Sequence, residues 1–199
     1  MRIVGGAHKG RIIVAPEGDA IRPTGDRVRE SLFNILAHHD FSDELGADFD
    51  LDGARVLDLF AGTGALGLEA ISRGASFALF VDDSIEARGA IRENMENLGL
   101  TGHAKLYKRD ATKLGPRPGS VGPQFDLVFL DPPYRMGLAG PALLSVLEGG
   151  WVTPHALFVV EEHVEAEFVA PQGFVEFDRR KYGLSEIVFL RQEAASAEN

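Results

Sequence analysis

Five short apolar runs, separated by helical segments, are the feature of this sequence that most constrains its fold. From Arg55 onward the runs read VLDLF, FALFV, AKLYK, FDLVFL and ALFVVE. Runs of this length and composition are typical of strands that are buried on both faces, as in a parallel sheet. Strands that alternate with helices are joined by right-handed crossovers. The sequence therefore predicts an α/β fold with a doubly wound, mostly parallel sheet.

The helical segments between these runs each end close to a glycine. They cover residues 65–73, 84–98 and 138–147, and they are followed by Gly74, Gly99 and Gly149. Helices commonly end with a left-handed residue, a conformation that glycine adopts without a steric penalty. Near the C-terminus, FVEFDRR and EIVFLR flank a short turn with no room for a helix. These two runs predict an antiparallel hairpin, which brings the sheet to seven strands.

The N-terminal region has a different pattern. Residues 2–14 contain two short apolar runs around a glycine-rich turn, which predicts a small β-hairpin extension. A loop with two prolines and two glycines then leads to a helix that starts near Thr24 or Asp26. We therefore divide the chain into an N-terminal hairpin and loop (1–24), a main domain (25–191) that contains an acidic linker at 40–53, and a polar, disordered tail (192–199).

The composition excludes several classes of protein. Among the 199 residues, 45% are hydrophobic and 25% are charged, which is ordinary for a globular domain. No cysteine is present, so disulfides and thiolate metal sites are excluded. No apolar run reaches the roughly 18 residues that a membrane span needs, and the N-terminus lacks the long apolar core of a signal peptide. We expect a cytoplasmic protein that uses no metal.

A glycine-rich turn follows the first strand of the predicted sheet. Gly62-Thr63-Gly64-Ala65-Leu66-Gly67 matches the dinucleotide fingerprint G-x-G-x-x-G, and Asp82 follows Gly62 by 20 residues. Asp58 stands four residues before this turn, where its carboxylate would repel the pyrophosphate of a dinucleotide. S-adenosylmethionine (SAM) has no phosphate and carries a sulfonium and an ammonium, which a carboxylate attracts. The sequence therefore favours SAM over NAD, with a tight turn that binds no ligand as the third interpretation.

Two further acids follow later strands. Asp82 is placed to accept hydrogen bonds from ribose hydroxyls, although strand alternation does not separate it from its neighbour Asp83. Asp110 ends the third strand, where it is a candidate for binding the adenine amino group or for capping the segment that starts at Ala111. The two roles of Asp110 are compatible.

The turn Asp131-Pro132-Pro133-Tyr134 closes the fourth strand. Exocyclic amines of nucleobases are poor nucleophiles, because their lone pair is delocalised into the ring. The carboxylate of Asp131 and the carbonyl of Pro132 can accept hydrogen bonds from such an amine, and the prolines hold both acceptors rigidly. Tyr134 offers a ring for base stacking. The alternative interpretation is a proline-rich turn that only ends a strand.

These motifs resemble the class I SAM-dependent methyltransferases and, more narrowly, the RsmD family of small-subunit rRNA guanine-N2 methyltransferases. The resemblance rests on MRIVGGAHKGR, RPTGDRVRESLFNIL, VLDLFAGTGALGLEAISRGA, the acid after FALFV, and FLDPPY. It departs from the family at Gly25, where a hydroxyl residue is usual, and at Asp82, where glutamate is usual. It implies that Asp131 to Tyr134 hold the guanine. The residues that it implies for the SAM site are Asp58, Phe60, Ala61, Gly62, Gly64, Asp82, Asp110 and Ala111.

The resemblance also implies an activity and a partner. The enzyme would transfer a methyl group from SAM to the N2 amine of a guanine in 16S rRNA, releasing S-adenosylhomocysteine. Its partner would be the small ribosomal subunit or an assembly intermediate, without a membrane or an obligate protein partner. The alternatives are an adenine-N6 methyltransferase acting on RNA or DNA, a non-catalytic ribosome-assembly factor of the same fold, and an NAD-dependent dehydrogenase.

Charge distribution predicts where RNA would bind. The net charge of −10 argues against unspecific binding of polyanions. Residues 1–30 nevertheless hold six Lys and Arg against four acids, whereas the remainder holds 14 against 26. The candidates for RNA contact in this basic arm are Arg2, Lys9, Arg11, Arg22, Arg27 and Arg29. A solvated hairpin is the alternative for the arm, and bracing of the SAM site is the alternative for the last three arginines.

Overall fold

The computed structural model describes residues 1–15 and 25–193, which contain five α-helices and seven strands. The helices are α1 (Asp26–His38), α2 (Ser42–Leu45), α3 (Ala65–Ser72), α4 (Ile85–Leu98) and α5 (Ala139–Glu148). The strands are β1 (Arg55–Leu59), β2 (Phe77–Val81), β3 (Ala104–Tyr107), β4 (Phe125–Leu130), β5 (Val152–His163), β6 (Phe174–Tyr182) and β7 (Ser185–Gln192). None of the helices in these described ranges is long and apolar enough to cross a membrane.

All seven strands form one sheet in the order β3-β2-β1-β4-β5-β7-β6. The first five strands in this order are parallel, and β7 pairs antiparallel with both β5 and β6. The predicted mostly parallel sheet with a C-terminal antiparallel hairpin is therefore confirmed. The chain order reverses between β1 and β4, and ligands bind at such a switch point, outside the carboxyl ends of the strands.

Apolar side chains cover both faces of the sheet, as the continuous runs predict. On one face α1, α3 and α4 pack against side chains such as Val56 and Phe129, and on the other α5 packs against side chains such as Leu57 and Val128. All four of these strand residues are fully buried. The two core layers fix the ends of β1 and β4 side by side, and they thereby position the turns that follow these strands.

The helix ends follow the glycine pattern with one exception. Gly99 closes α4 at φ 70°, as predicted. After α5, Gly149 remains right-handed at φ −80°, and Gly150 is the left-handed residue at φ 65°. A Cβ on Gly149 would lie 2.4 Å from Nε1 of Trp151. Glycine is required there by close packing rather than by backbone conformation.

The N-terminal hairpin is reduced to a single antiparallel bridge between Arg2 and Ile12. Ile3 and Ile13 are buried in the same core as α1, α3 and α4, so residues 1–15 are part of the main packing unit. Several backbone N–H groups of this segment donate to helix side chains rather than to a partner strand: Val4 to Glu69, His8 to Ser72, and Val14 to Asn94, at 2.8–2.9 Å.

The acidic segment at 40–53 is not an unpacked linker. It contains α2, and Phe41, Leu45 and Leu51 are buried in the core. The ring of Phe41 packs edge-on against Phe49 and Phe177. The aspartates of the segment are exposed and Glu44 is half-buried, and these acids explain why the composition alone suggests a linker.

Candidate active site

A cavity of about 300 Å³ lies at the carboxyl edge of the sheet, at the switch point between β1 and β4. It lies between the residues that follow β1, β2 and β3 and the turn that follows β4. Among the residues that line it are five that the sequence predicts for the site: Phe60, Asp82, Asp110, Ala111 and Pro133. Asp58, Ala61, Gly62 and Gly64 lie under or beside the cavity and are not among its lining residues.

The glycine turn after β1 is tightly wound. Phe60, Gly62 and Gly64 all have left-handed backbones, with φ of 56°, 56° and 77°. This conformation is strained for a phenylalanine, and such strain is concentrated at functional sites. The third glycine of the fingerprint, Gly67, allows close helix packing, because a Cβ there would lie 2.4 Å from the ring of Phe80. The turn therefore brings the start of α3 directly against the sheet.

Asp82 joins this turn to the end of β2. Its carboxylate accepts hydrogen bonds from the backbone N–H groups of Gly62 and Ser84, both at 2.9 Å. Partial burial raises the pKa of Asp82, and the two N–H donors oppose that rise. Asp83 also lines the cavity but is exposed to solvent. Of the two candidate ribose ligands, Asp82 is therefore the one whose carboxylate is fixed in position by hydrogen bonds.

Asp58 lies beneath the turn rather than at the cavity surface. It is 1% exposed and accepts a hydrogen bond from the backbone N–H of Gly67 at 2.9 Å. Burial raises the pKa of Asp58 to about 8, while the Gly67 N–H lowers it and the nearby charge of Asp82 raises it further. In this geometry the carboxyl group fixes the first turn of α3. A direct contact between Asp58 and the SAM ammonium stays a prediction.

Asp110 caps the short 3-10 turn Ala111–Lys113, as one of the two sequence interpretations requires. Its carboxylate accepts hydrogen bonds from the backbone N–H and the hydroxyl of Thr112 at 2.9 and 2.6 Å, and these bonds lower its pKa. Asp110 lines the cavity from this position. The cap thus holds a charged carboxylate at the site, and its contact with adenine stays a prediction.

The turn after β4 reaches the cavity through Pro133, whereas Asp131, Pro132 and Tyr134 are not among the lining residues. Asp131 follows β4, and its backbone N–H lies 3.4 Å from the carbonyl oxygen of Leu59. Pro132 is buried, and Pro133 lines the cavity. The last residue of the turn, Tyr134, is half-buried. The structure thus places the turn beside the glycine-rich segment, as the sequence predicts from the two strand ends.

The hydroxyl of Tyr134 is held by residues that the sequence did not single out. It lies 3.1 Å from Oγ of Ser185 at the start of β7 and 3.4 Å from Oε1 of Glu161 on β5. Its ring meets the ring of His163 edge-on at 5.5 Å. These contacts join residues 27 to 51 positions apart, so no local sequence signal could reveal them.

The arm residues predicted for RNA contact separate into two groups. Arg2, Lys9, Arg11 and Arg27 are exposed, and Arg11 donates a hydrogen bond to the carbonyl of Asn97. Arg29 is fully buried and donates to the carbonyl of Arg2 and to the carboxylate of Asp26, both at 2.7 Å. Its side chain therefore ties the N-terminal segment to the start of α1, and bracing of the SAM site, the alternative that the sequence left open, stays a prediction. Arg22 lies outside the described residues.

The chemistry of the cavity fits SAM better than a dinucleotide. Its acids are Asp82, Asp83 and Asp110, and the one basic lining residue in the described chain is Arg109. The guanidinium of Arg109 donates to the carbonyl of Leu114 and to the hydroxyl of Tyr107. Such a site would repel a pyrophosphate and attract a cation. When bound, SAM supplies an electrophilic methyl group on its sulfonium.

The sheet order, the glycine turn and the acid-lined cavity define the class of this protein: it is an α/β methyltransferase of the Rossmann-like type. No group of acids and histidines that could hold a metal ion is present among the described residues.

Comparisons with known proteins identify the family. A Bacillus subtilis relative, provisionally named an rRNA methyltransferase, is 35% identical over 96% of this chain and 99% of its own. Ribosomal RNA small subunit methyltransferase D of Escherichia coli is 36% identical over 83% of this chain and 76% of its own. A solved Escherichia coli structure, provisionally described as a methyltransferase, has a TM-score of 0.77 and 31% identity, covering 98% of this chain and 99% of that one. The chain belongs to the family described as conserved hypothetical protein 95, the RsmD family, whose profile matches residues 1–191.

Proposed function

We propose that this protein transfers a methyl group from SAM to the exocyclic N2 amine of a guanine in 16S rRNA. The observation that carries the proposal is the position of the Asp131-Pro132-Pro133-Tyr134 turn, which forms one rim of the acid-lined cavity through Pro133. The names of its relatives in Bacillus subtilis and Escherichia coli support rRNA as the substrate. The work would take place in the cytoplasm, on the small subunit or on an assembly intermediate.

Each residue of the turn has a separate role in this proposal. The carboxylate of Asp131 and the carbonyl of Pro132 accept hydrogen bonds from the amine, which favours a pyramidal nitrogen with an available lone pair. Positive charge develops on that nitrogen during transfer, and the same two oxygens stabilise it. The ring of Tyr134 positions the base by stacking. Asp82 and Asp110 hold the ribose and the adenine of SAM.

Adenine-N6 methylation is the nearest alternative, because the same turn would serve that amine. A dehydrogenase is disfavoured, because Asp82, Asp83 and Asp110 outnumber the one basic residue, Arg109, among the described residues that line the cavity, and these acids would repel a pyrophosphate. A purely structural assembly factor would need neither the strained turn at Phe60 nor the acids of the cavity. The choice between guanine and adenine requires analysis of the product.

The decisive experiment supplies labelled SAM with unmethylated 16S rRNA, free or assembled into small subunits, and digests the product to nucleosides. Labelled N2-methylguanosine supports the proposal, whereas labelled N6-methyladenosine would replace it with the adenine alternative. Absence of label from RNA in both forms, in a protein that still binds SAM by calorimetry, would contradict rRNA methylation altogether. The Asp131→Ala variant controls for contaminating methyltransferases.

A further inference from the structure

A second concave surface lies on the outer side of α1, away from the SAM cavity. It is a groove of about 570 Å³ between α1 and the edge strand β6. Four of the lining side chains, at positions 27, 31, 34 and 38, recur at helical spacing and form one stripe along α1. At a rise of 1.5 Å per residue, the stripe is about 17 Å long. The polar donors of the groove are Arg27, Ser31, Asn34, His38, His39 and Arg180.

The groove is connected to the Asp131-Pro132-Pro133-Tyr134 turn by two hydroxyl contacts and one strand pairing. The hydroxyls of Ser31 and Tyr182 are 2.7 Å apart. Tyr182 is paired in register with Ser185, whose Oγ lies 3.1 Å from the hydroxyl of Tyr134. One end of the groove therefore lies at the carboxyl edge of the sheet, where the target base would enter. An RNA strand whose target base lies at the Asp131 to Tyr134 turn would leave the turn at this end and continue along α1.

The side chains of the groove suit phosphate groups. Arginine carries several N–H donors and no acceptor, and histidine, serine and asparagine each present at least one donor. Among the described residues that line the groove, Glu30 is the single acid, although the chain as a whole carries 30 acids against 20 bases. Arg180 pairs with Asp178 at 2.8 Å, but both side chains are about a third or more exposed. Such a surface pair contributes little to stability and can exchange for a phosphate.

We propose that this groove binds the phosphate backbone of the RNA strand that flanks the target nucleotide. The inference rests on the proposed rRNA methylation and adds a binding surface to it. Arg180 and His38 line opposite walls of the groove and contact the backbone without reading its sequence. The groove supplies local positive charge that the acidic body of the protein lacks.

The test compares Arg180→Ala and His38→Ala with Arg92→Ala. Arg92 is an exposed arginine on α4, near the opposite end of the sheet from β6, and is the matched control. Methylation kinetics are measured on small subunits assembled from an unmethylated 16S rRNA transcript, and binding to the same subunits is measured at several salt concentrations. We expect KM to rise roughly 3- to 10-fold in each groove variant with kcat nearly unchanged. In Arg180→Ala the log–log salt slope becomes shallower by about 0.7 for each phosphate that the arginine no longer neutralises, whereas His38→Ala removes a hydrogen-bond donor and is expected to change KM alone.

The outcomes separate this inference from the proposed function. A wild-type enzyme that methylates no rRNA contradicts the proposed function and with it the groove. An active wild type whose groove variants have unchanged KM and salt slope overturns the groove alone. If Arg180→Ala lowers the thermal midpoint, His38→Ala decides, because His38 is exposed near the end of α1. A higher KM in Arg92→Ala as well would also overturn the proposal, since the effect would then reflect overall charge.

Discussion

The carboxylate of Asp82 accepts a hydrogen bond from the backbone N–H of Gly62 at 2.9 Å. This single contact joins the end of β2 to the glycine turn after β1, so the acid both shapes the cavity and lines it. The second oxygen of Asp82 accepts from the N–H of Ser84, which caps α4. Asp82 therefore connects the glycine turn with the start of a helix.

We predict that Asp82→Ala weakens SAM binding by about 1–3 kcal/mol, because the variant removes a half-buried, charge-assisted acceptor. Isothermal titration calorimetry measures the change. Asp83→Ala is the matched control: Asp83 lines the same cavity but is exposed, so its removal should have a smaller effect. An equal decrease of affinity in both variants would show that the site depends on its overall charge rather than on Asp82.

Asp58 makes stability depend on pH. Its pKa is about 8 in the folded protein, because of burial, and about 3.9 in an unfolded chain. Between these values the folded form keeps a proton that the unfolded form has released. The contribution of Asp58 to the free energy of unfolding is therefore fully present below about pH 4. It decreases as the pH rises towards 8, by at most about 1.4 kcal/mol per pH unit.

Asp58→Asn should remove this slope, since the amide has no proton to release and its oxygen can still accept from Gly67. Urea unfolding at pH 5 and pH 8 measures the free energy of unfolding of both proteins. The same pH dependence in the variant would contradict the assignment of this slope to Asp58.

SAM titration of Asp58→Ala tests a second role of this residue. We expect SAM binding to weaken by about 1–3 kcal/mol. Unchanged affinity in the folded variant would leave Asp58 with a purely structural role.

The sheet could be predicted because each of its strands is marked locally by an apolar run and a turn. The positions of Phe60 and Pro133 around one cavity follow from the shared carboxyl edge of parallel strands. The N-terminal segment could not be predicted in the same way. The backbone N–H groups of Val4 and Val14 are satisfied by the side chains of Glu69 and Asn94, which lie 65 and 80 residues away from them in sequence. Burial of Arg29 likewise depends on a tertiary contact with the carbonyl of Arg2.

Asp131→Ala is expected to abolish most turnover while SAM affinity stays nearly unchanged, because Asp131 acts on the acceptor amine. Single-turnover methylation of small subunits, together with SAM calorimetry, separates the two effects. Asp131→Asn tests the role of charge: the amide oxygen can still accept one hydrogen bond but stabilises developing positive charge poorly. Full activity in the alanine variant would remove Asp131 from the chemistry.

The contacts of Tyr134 predict a difference between its ring and its hydroxyl. Tyr134→Phe keeps the stacking ring and removes only the hydroxyl that bonds to Ser185 and Glu161, so we expect much of the activity to remain. Tyr134→Ala removes both groups and should raise the KM for the subunit strongly. Ser185→Ala should resemble Tyr134→Phe, and Ser185→Thr, which keeps a hydroxyl, should restore the wild-type KM. If Tyr134→Phe is as inactive as the alanine variant, the hydroxyl itself is essential.

The basic arm is best tested by substitution. Deleting residues 1–14 would remove the buried side chains of Ile3 and Ile13, so we expect it to destabilise the whole domain. Lys9 is exposed, and its replacement by alanine leaves this packing intact. Lys9→Ala should raise the KM for the subunit and flatten the salt dependence of binding, with SAM affinity unchanged. Lys105→Ala, at an exposed lysine on the edge strand β3, is the matched control. Unchanged KM and salt slope in Lys9→Ala would remove Lys9 from the recognition surface.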